Sequence, residues 1–178
     1  MTPRILIAGI GNIFLGDDGF GVEVARRLAG RALPEGVTVA DFGIRGMDLA
    51  YALLDDYDAL ILIDAAPRGE PPGTLSLIEH SWDGGGAAAI DTHSMDPVKV
   101  LRLARELGAR PTRTFVVACE PAFLGGGGGF EDVVVALSEP VRGAVAEAIS
   151  MVESLLDKLV HAGNEGGERI CEVLERPS

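Results

Sequence analysis

The chain is expected to fold as one α/β domain, a three-layer sandwich in which a mostly parallel, twisted sheet of about five strands carries helices on both faces. Three observations predict it. Short apolar runs alternate with amphipathic stretches of helical period along most of the chain. Two of the runs, Ala59–Ile63 and Phe115–Cys119, are continuously apolar, as in strands buried on both faces. A long closing segment keeps one apolar stripe at 3.6-residue spacing.

Taken in order, Arg4–Ala8 reads as the first strand and Gly19–Ala29 as a helix with Phe20, Val24, Ala25 and Leu28 on one face and Gly30 as its stop. Val37–Phe42 is the second strand and Met47–Leu54 a short helix. Ala59–Asp64 is the third strand, and Gly73–Ile78 comes next through the turn-rich Pro67–Pro72. Trp82–Ala89 is a Gly/Ala loop ending at Asp91-Thr92-His93-Ser94, before a helix opened by Pro97 and closed by Gly108. Proline suits a first helical turn because its missing N–H is an orphan there anyway.

Arg113–Cys119 is the last strand, and Gly125–Gly129 reads as a mobile surface loop. The final helix starts at Ser138 or Glu139 and turns Val141, Ala144, Val145, Ala148, Val152, Leu155, Leu156 and Leu159 to the core. Residues 1–162 are thus expected to be the domain and 163–178 an irregular tail, with no internal repeat.

Composition narrows the function. With 47% apolar residues and a positive mean hydropathy, disorder is excluded for most of the length. No apolar run is long enough to span a bilayer, and the start lacks the features of a signal peptide, so a cytoplasmic location is expected. Cys119 and Cys171 have neither a disulfide framework nor metal-site spacing, and suit a small core residue and a tail residue. A net charge of −12 without a basic cluster speaks against nucleic acid and anionic membrane as partners, and suits a cation or a basic partner.

The chemistry concentrates at strand ends. The segment Gly9–Gly21, GIGNIFLGDDGFG, has the first two glycines of a dinucleotide fingerprint but Phe14 at the third position. Asp17 and Asp18 stand where the helix begins. The macrodipole favours them there, by typically 0.3–1 kcal/mol each, but they repel a phosphate. Asp41, ending the second strand, keeps a dinucleotide alternative open as a ribose-binding acid; a P-loop is excluded. Taken singly, Asp17 and Asp18 suit helix caps, Asp64 a turn cap and His93 a structural histidine. His161, by contrast, lies near the last helix's C-terminus, where a cationic ring is favoured. Together, two carboxylates and an imidazole from three strand ends make a donor set suited to Ni²⁺ or Zn²⁺ with positions left open.

These residues carry a resemblance. Gly9-Ile10-Gly11-Asn12, Asp17-Asp18-Gly19-x-Gly21, Asp41 through Leu49 (DFGIRGMDL), Asp64-Ala65, His93 and Cys119-Glu120-Pro121 occur in the order found in the maturation endopeptidases of [NiFe]-hydrogenases. The chain resembles that family over roughly residues 4–160. The resemblance implies a phosphorylase/hydrolase-like sandwich that cuts near the C-terminus of the nickel-loaded hydrogenase large-subunit precursor. It places the metal contacts on Asp18, Asp64 and His93. The nickel is expected to be carried by the substrate, with Zn²⁺ or Cd²⁺ as substitutes. At the first position the family carries Glu or Asp, and with the shorter Asp18 the metal is expected either to sit closer to the helix start or to be bound more loosely.

The Gly43–Gly46 segment resembles a loop near the family's cleft, and the resemblance implies that Asp41 is an accompanying acid needed for it. Water activation is left between nickel as Lewis acid and a carboxylate, Asp18 or Asp41, as general base. Arg45 suits either a grip on a substrate carboxylate or carbonyl or a solvated loop position. The alternatives to a peptidase are a nucleotide-binding α/β module and a non-enzymatic nickel-binding maturation factor.

Overall fold

The computed structural model describes residues 2–80, 96–110, 112–125 and 133–162. Five strands form one sheet: β1 (Ile5–Ile10), β2 (Val37–Gly43), β3 (Ala59–Ala65), β4 (Leu75–His80) and β5 (Arg113–Cys119). Their order is β2-β1-β3-β5-β4. The first four in that order run parallel, and β4 closes the edge antiparallel to β5. The helices are α1 (Phe20–Ala29), α2 (Gly46–Ala52), α3 (Pro97–Glu106) and α4 (Glu139–Ala162). The expected fold class is the observed one.

Strand alternation sorts the core into two layers. Ile5, Ile7, Ile61, Ile63, Phe115 and Val117 face α1 and α4, while Leu6, Ala8, Leu60, Leu62, Val116 and Ala118 face α2 and α3. Every residue of β1 and β3 is buried, as their unbroken apolar runs require of central parallel strands. The whole expected stripe of α4 is buried. α3 begins with Asp96, whose Oδ1 accepts the Val98 N–H at 2.9 Å, followed by Pro97 at the first helical position.

Boundaries shift where tertiary pairing extends or moves a strand. β1 continues through Gly9 and Ile10 because β2 and β3 pair with it there. β4 lies two residues later than Gly73–Ile78, since Gly73 belongs to the turn closed by the Thr74 N–H on the Pro71 carbonyl. The first helix opens with a separate 3-10 turn, Asp17–Gly19. Gly125, expected in a mobile loop, is buried and donates its N–H to the Leu15 carbonyl at 3.3 Å. Residues 126–129 of that loop, the Gly/Ala loop with His93, and the tail from 163 lie outside the described residues.

Two glycines permit the packing at the site. A Cβ on Gly21 would sit 2.0 Å from the Ile63 carbonyl oxygen and 2.5 Å from that of Ile10, so α1 rests directly on the tips of β3 and β1. Gly11, at φ +125, would place a Cβ 1.8 Å from the Asp18 carbonyl oxygen. The glycines thus bring the 3-10 turn back onto the sheet edge.

Candidate active site

The sheet reverses its winding between β1 and β3, the place where open α/β sheets bind ligands at the strands' carboxyl ends. Asp18 follows β1 and Asp64 lies near the end of β3, one on each side of that switch point. Both are almost inaccessible, at 3% and 1% exposure. Asp18 Oδ2 accepts the Asn12 N–H at 2.7 Å. Asp64 Oδ2 is buried and has no hydrogen-bond partner among the described residues.

Burial pushes the Asp64 carboxyl well above the ordinary carboxylate range, and the negative charge of Asp18 pushes it further; the Ala65 N–H opposes this. Asp64 thus takes one backbone donor, the Ala65 N–H, and keeps Oδ2 without one among the described residues.

Asp17, the expected cap, does not cap its own helix. The N-cap positions of the 3-10 turn and of α1 are Gly16 and Gly19, which have no side chain to cap with. Asp17 Oδ2 instead accepts the N–H groups of Ala122 at 2.8 Å and Phe123 at 3.0 Å and the Ser138 hydroxyl at 2.8 Å, while Oδ1 accepts the Ser138 N–H at 2.7 Å. One carboxylate joins the first turn, the segment after β5 and the start of α4. Ser138 and Ala122 are partners that sequence reasoning missed, and their distance along the chain left no local signal.

The same geometry removes the dinucleotide alternative. The Asn12 N–H, which a phosphate at this turn would need, is taken by Asp18. Asp41 is engaged as well: its Oδ2 lies 3.1 Å from Arg26 Nε and 3.1 Å from Arg26 Nη2. Arg45 turns onto its own loop, donating to the Phe42 carbonyl at 3.1 Å and to the Asp41 carbonyl. Its guanidinium grips main-chain carbonyls, but those of the protein.

Between the first turn and the β2–α2 connection lies a cleft of about 250 Å³, lined by Asn12, Phe14, Arg26, Asp41, Ile44 and Arg45 among others. Strand alternation sets Asp41 on the α1 side of the sheet, where Arg26 meets it, and Asp64 on the α2/α3 side with Leu60 and Leu62. The structure thus brings Asp18 and Asp64 together and sets Asp41 apart, in the cleft. His93 lies outside the described residues. Among the described residues, no three His, Cys, Asp or Glu side chains converge to hold a metal.

Cys119, at the end of β5, is fully buried, as expected of a small core residue. Burial, with Asp17 and Glu120 nearby, pushes its thiol up to about 12, which disfavours the thiolate a nucleophile needs. Glu120 is held by the Arg68 N–H, 2.6 Å from Oε2.

Comparison with known proteins decides the class of chemistry. Residues 22–155 match the model of the hydrogenase maturation protease family, HycI. The chain belongs to this family. It is 34% identical over 158 residues to the hydrogenase expression/formation protein HupD of Rhizobium leguminosarum bv. viciae, covering 87% of this chain and 75% of that one. The hydrogenase maturating endopeptidase HybD from E. coli superposes with a TM-score of 0.71 at 27% identity, over 88% of this chain and 93% of its own.

The hydrogenase 2 maturation peptidase from Thaumarchaeota archaeon SCGC_AB-539-E09 gives a TM-score of 0.66 at 31% identity, over 86% and 98%. As a maturation protease, the chain is a peptide-bond hydrolase, and its edge acids have to be understood as parts of a peptidase. No helix among the described residues is long and apolar enough to cross a membrane.

Proposed function

We propose that this protease removes a C-terminal peptide from the large-subunit precursor of a [NiFe]-hydrogenase after nickel insertion, and that Asp18, Asp64 and His93 contact the nickel carried by that substrate. The observation that carries the proposal is Asp64 Oδ2, a buried acceptor without a partner among the described residues and beside a second carboxylate. Two such groups disfavour each other's ionisation, and a divalent cation between them offsets both the desolvation and the repulsion. Carboxylates with an imidazole suit Ni²⁺, and Zn²⁺ or Cd²⁺ would serve as substitutes in a binding assay. His93 enters because it precedes α3, which packs on the face of the sheet that carries Asp64.

The protein's own residues then divide the work. The Asn12 N–H holds the Asp18 carboxylate at the strand edge. The cleft receives the chain near the cut, and Arg26 orients the Asp41 carboxylate that lines it. In this reading a carboxylate, Asp18 or Asp41, takes the proton of the attacking water as general base and returns it to the departing amine nitrogen as the peptide bond breaks. The substrate's nickel supplies positive charge near the scissile carbonyl. The reaction is taken to be cytoplasmic, which fractionation of cells carrying a tagged chain checks.

The decisive experiment incubates the protease with nickel-loaded and nickel-free precursor and follows the precursor by mass spectrometry. Only the loaded form is expected to lose its C-terminal peptide. Equal rates for both forms would remove nickel from the recognition step.

A further inference from the structure

α2 and the turn after it carry two apolar faces. Leu49, Ala50 and Leu53 are buried against the sheet and α3. On the other side Met47, Tyr51 and Leu54 recur at i, i+4 and i+7 and are 50%, 54% and 38% exposed. Single exposed apolar side chains are ordinary, but a row at helical spacing is a surface feature. Ile44, 57% exposed, extends the row toward the substrate cleft, whose wall it also forms. Asp48, Asp55 and Asp56 are exposed beside it, Asp48 paired with Arg45 at 3.6 Å and Asp56 with Arg110 at 3.8 Å, so its rim is polar and mixed in charge.

We infer that the row Ile44–Met47–Tyr51–Leu54 docks the folded body of the polypeptide substrate, outside the segment that is cut. The surface it fits is an apolar patch with a polar edge. This rests on the proposed function for the identity of the substrate, and it adds a second contact that the cleft does not provide. Continuity with the cleft is the first argument, since a substrate whose chain enters past Ile44 must lie over the outer face of α2. A second copy of the protease is the poorer occupant, because seated on Ile44 it would cover the cleft mouth. The helix that carries most of the row is only about 10 Å long. Four side chains fall well short of the roughly 800 Å² per partner of a stable dimer. A small contact suits an enzyme that must release its product.

The test compares wild type with the Met47→Asp/Tyr51→Asp double variant, neither residue lining the cleft, on nickel-loaded precursor. KM is expected to rise about tenfold with kcat within about twofold. Tyr51→Phe, which keeps the apolar ring, should behave as wild type. An unchanged KM in the double variant overturns the proposal. So does a wild-type dimer that the double substitution converts to a monomer by sedimentation, which would assign the row to a second copy. If wild type does not cut the precursor, the proposed function fails separately. Docking is then judged by direct binding of the precursor to the immobilised protease, and equal binding by both forms overturns it.

Discussion

Asp17 and Asp64 are both aspartates at the carboxyl edge of the sheet, each about 1% exposed, yet their electrostatic situations are opposite. Asp17 accepts four hydrogen bonds from Ala122, Phe123 and Ser138. Asp64 keeps one oxygen without any among the described residues, next to the repelling charge of Asp18. A buried carboxylate is tolerable when backbone donors replace its water, and Asp17 meets that condition. Asp64 does not, so its charge is held at a cost that the fold alone does not need. The satisfied acid is architecture; the unsatisfied one is the better candidate for a ligand.

Substitution should separate the two. Asp64→Asn is expected to slow precursor processing at least about 100-fold, the scale seen when a group that stabilises developing charge is removed. Its melting temperature should not fall. Thermal denaturation alongside the processing assay checks both halves, and a variant that processes normally would take Asp64 out of the site.

Asp17→Ala should do the reverse in kind, because it leaves three backbone N–H groups and a hydroxyl without their acceptor. The expected loss is about 3–5 kcal/mol, or roughly 10 °C in Tm for a chain of this size. A small shift would mean that water or other acceptors replace the carboxylate at little cost.

The pH dependence sharpens the contrast further. Asp64 binds its proton more tightly in the native state than in the unfolded chain, where its value is the ordinary 3.8. Its contribution to stability is therefore fully present below about pH 4 and is lost as pH rises through the raised native value. Relative to wild type, metal-free Asp64→Asn should gain stability across that window, by roughly 4 °C for each pH unit crossed. Parallel melting curves for the two proteins from pH 4 to pH 8 would show that Asp64 is not strained by its surroundings.

Much of this is legible in the sequence, for physical reasons. The apolar runs of β1, β3 and β5 and the stripe of α4 are strong periodic signals, and the structure buries them as they imply. Asp64 stands out because a carboxylate closing the most apolar run must be capped or functional. The division of labour within Asp17-Asp18 is not legible there. Both suit a helix start, and the partners that decide between them lie 105 to 121 residues further along. Nor does local sequence tell which side of the sheet Asp41 occupies. That depends on strand order and on Arg26 reaching it from α1. The outer row on α2 has the same spacing as a core face, and only burial shows which face points inward.

By itself, then, the sequence determined the α/β class, the main strands and helices and the presence of acids at several strand ends, because hydrophobic period and turn chemistry are local. Tertiary structure alone decided that β1 and β3 are neighbours, and so that Asp18 faces Asp64 across the switch point. It also decided that the glycines of the first turn serve close packing on strand tips, where a phosphate loop would leave its N–H groups bare. The reason is common to all of these. Burial, hydrogen-bond satisfaction and charge repulsion depend on which distant segments meet, and nothing in a local pattern sets that.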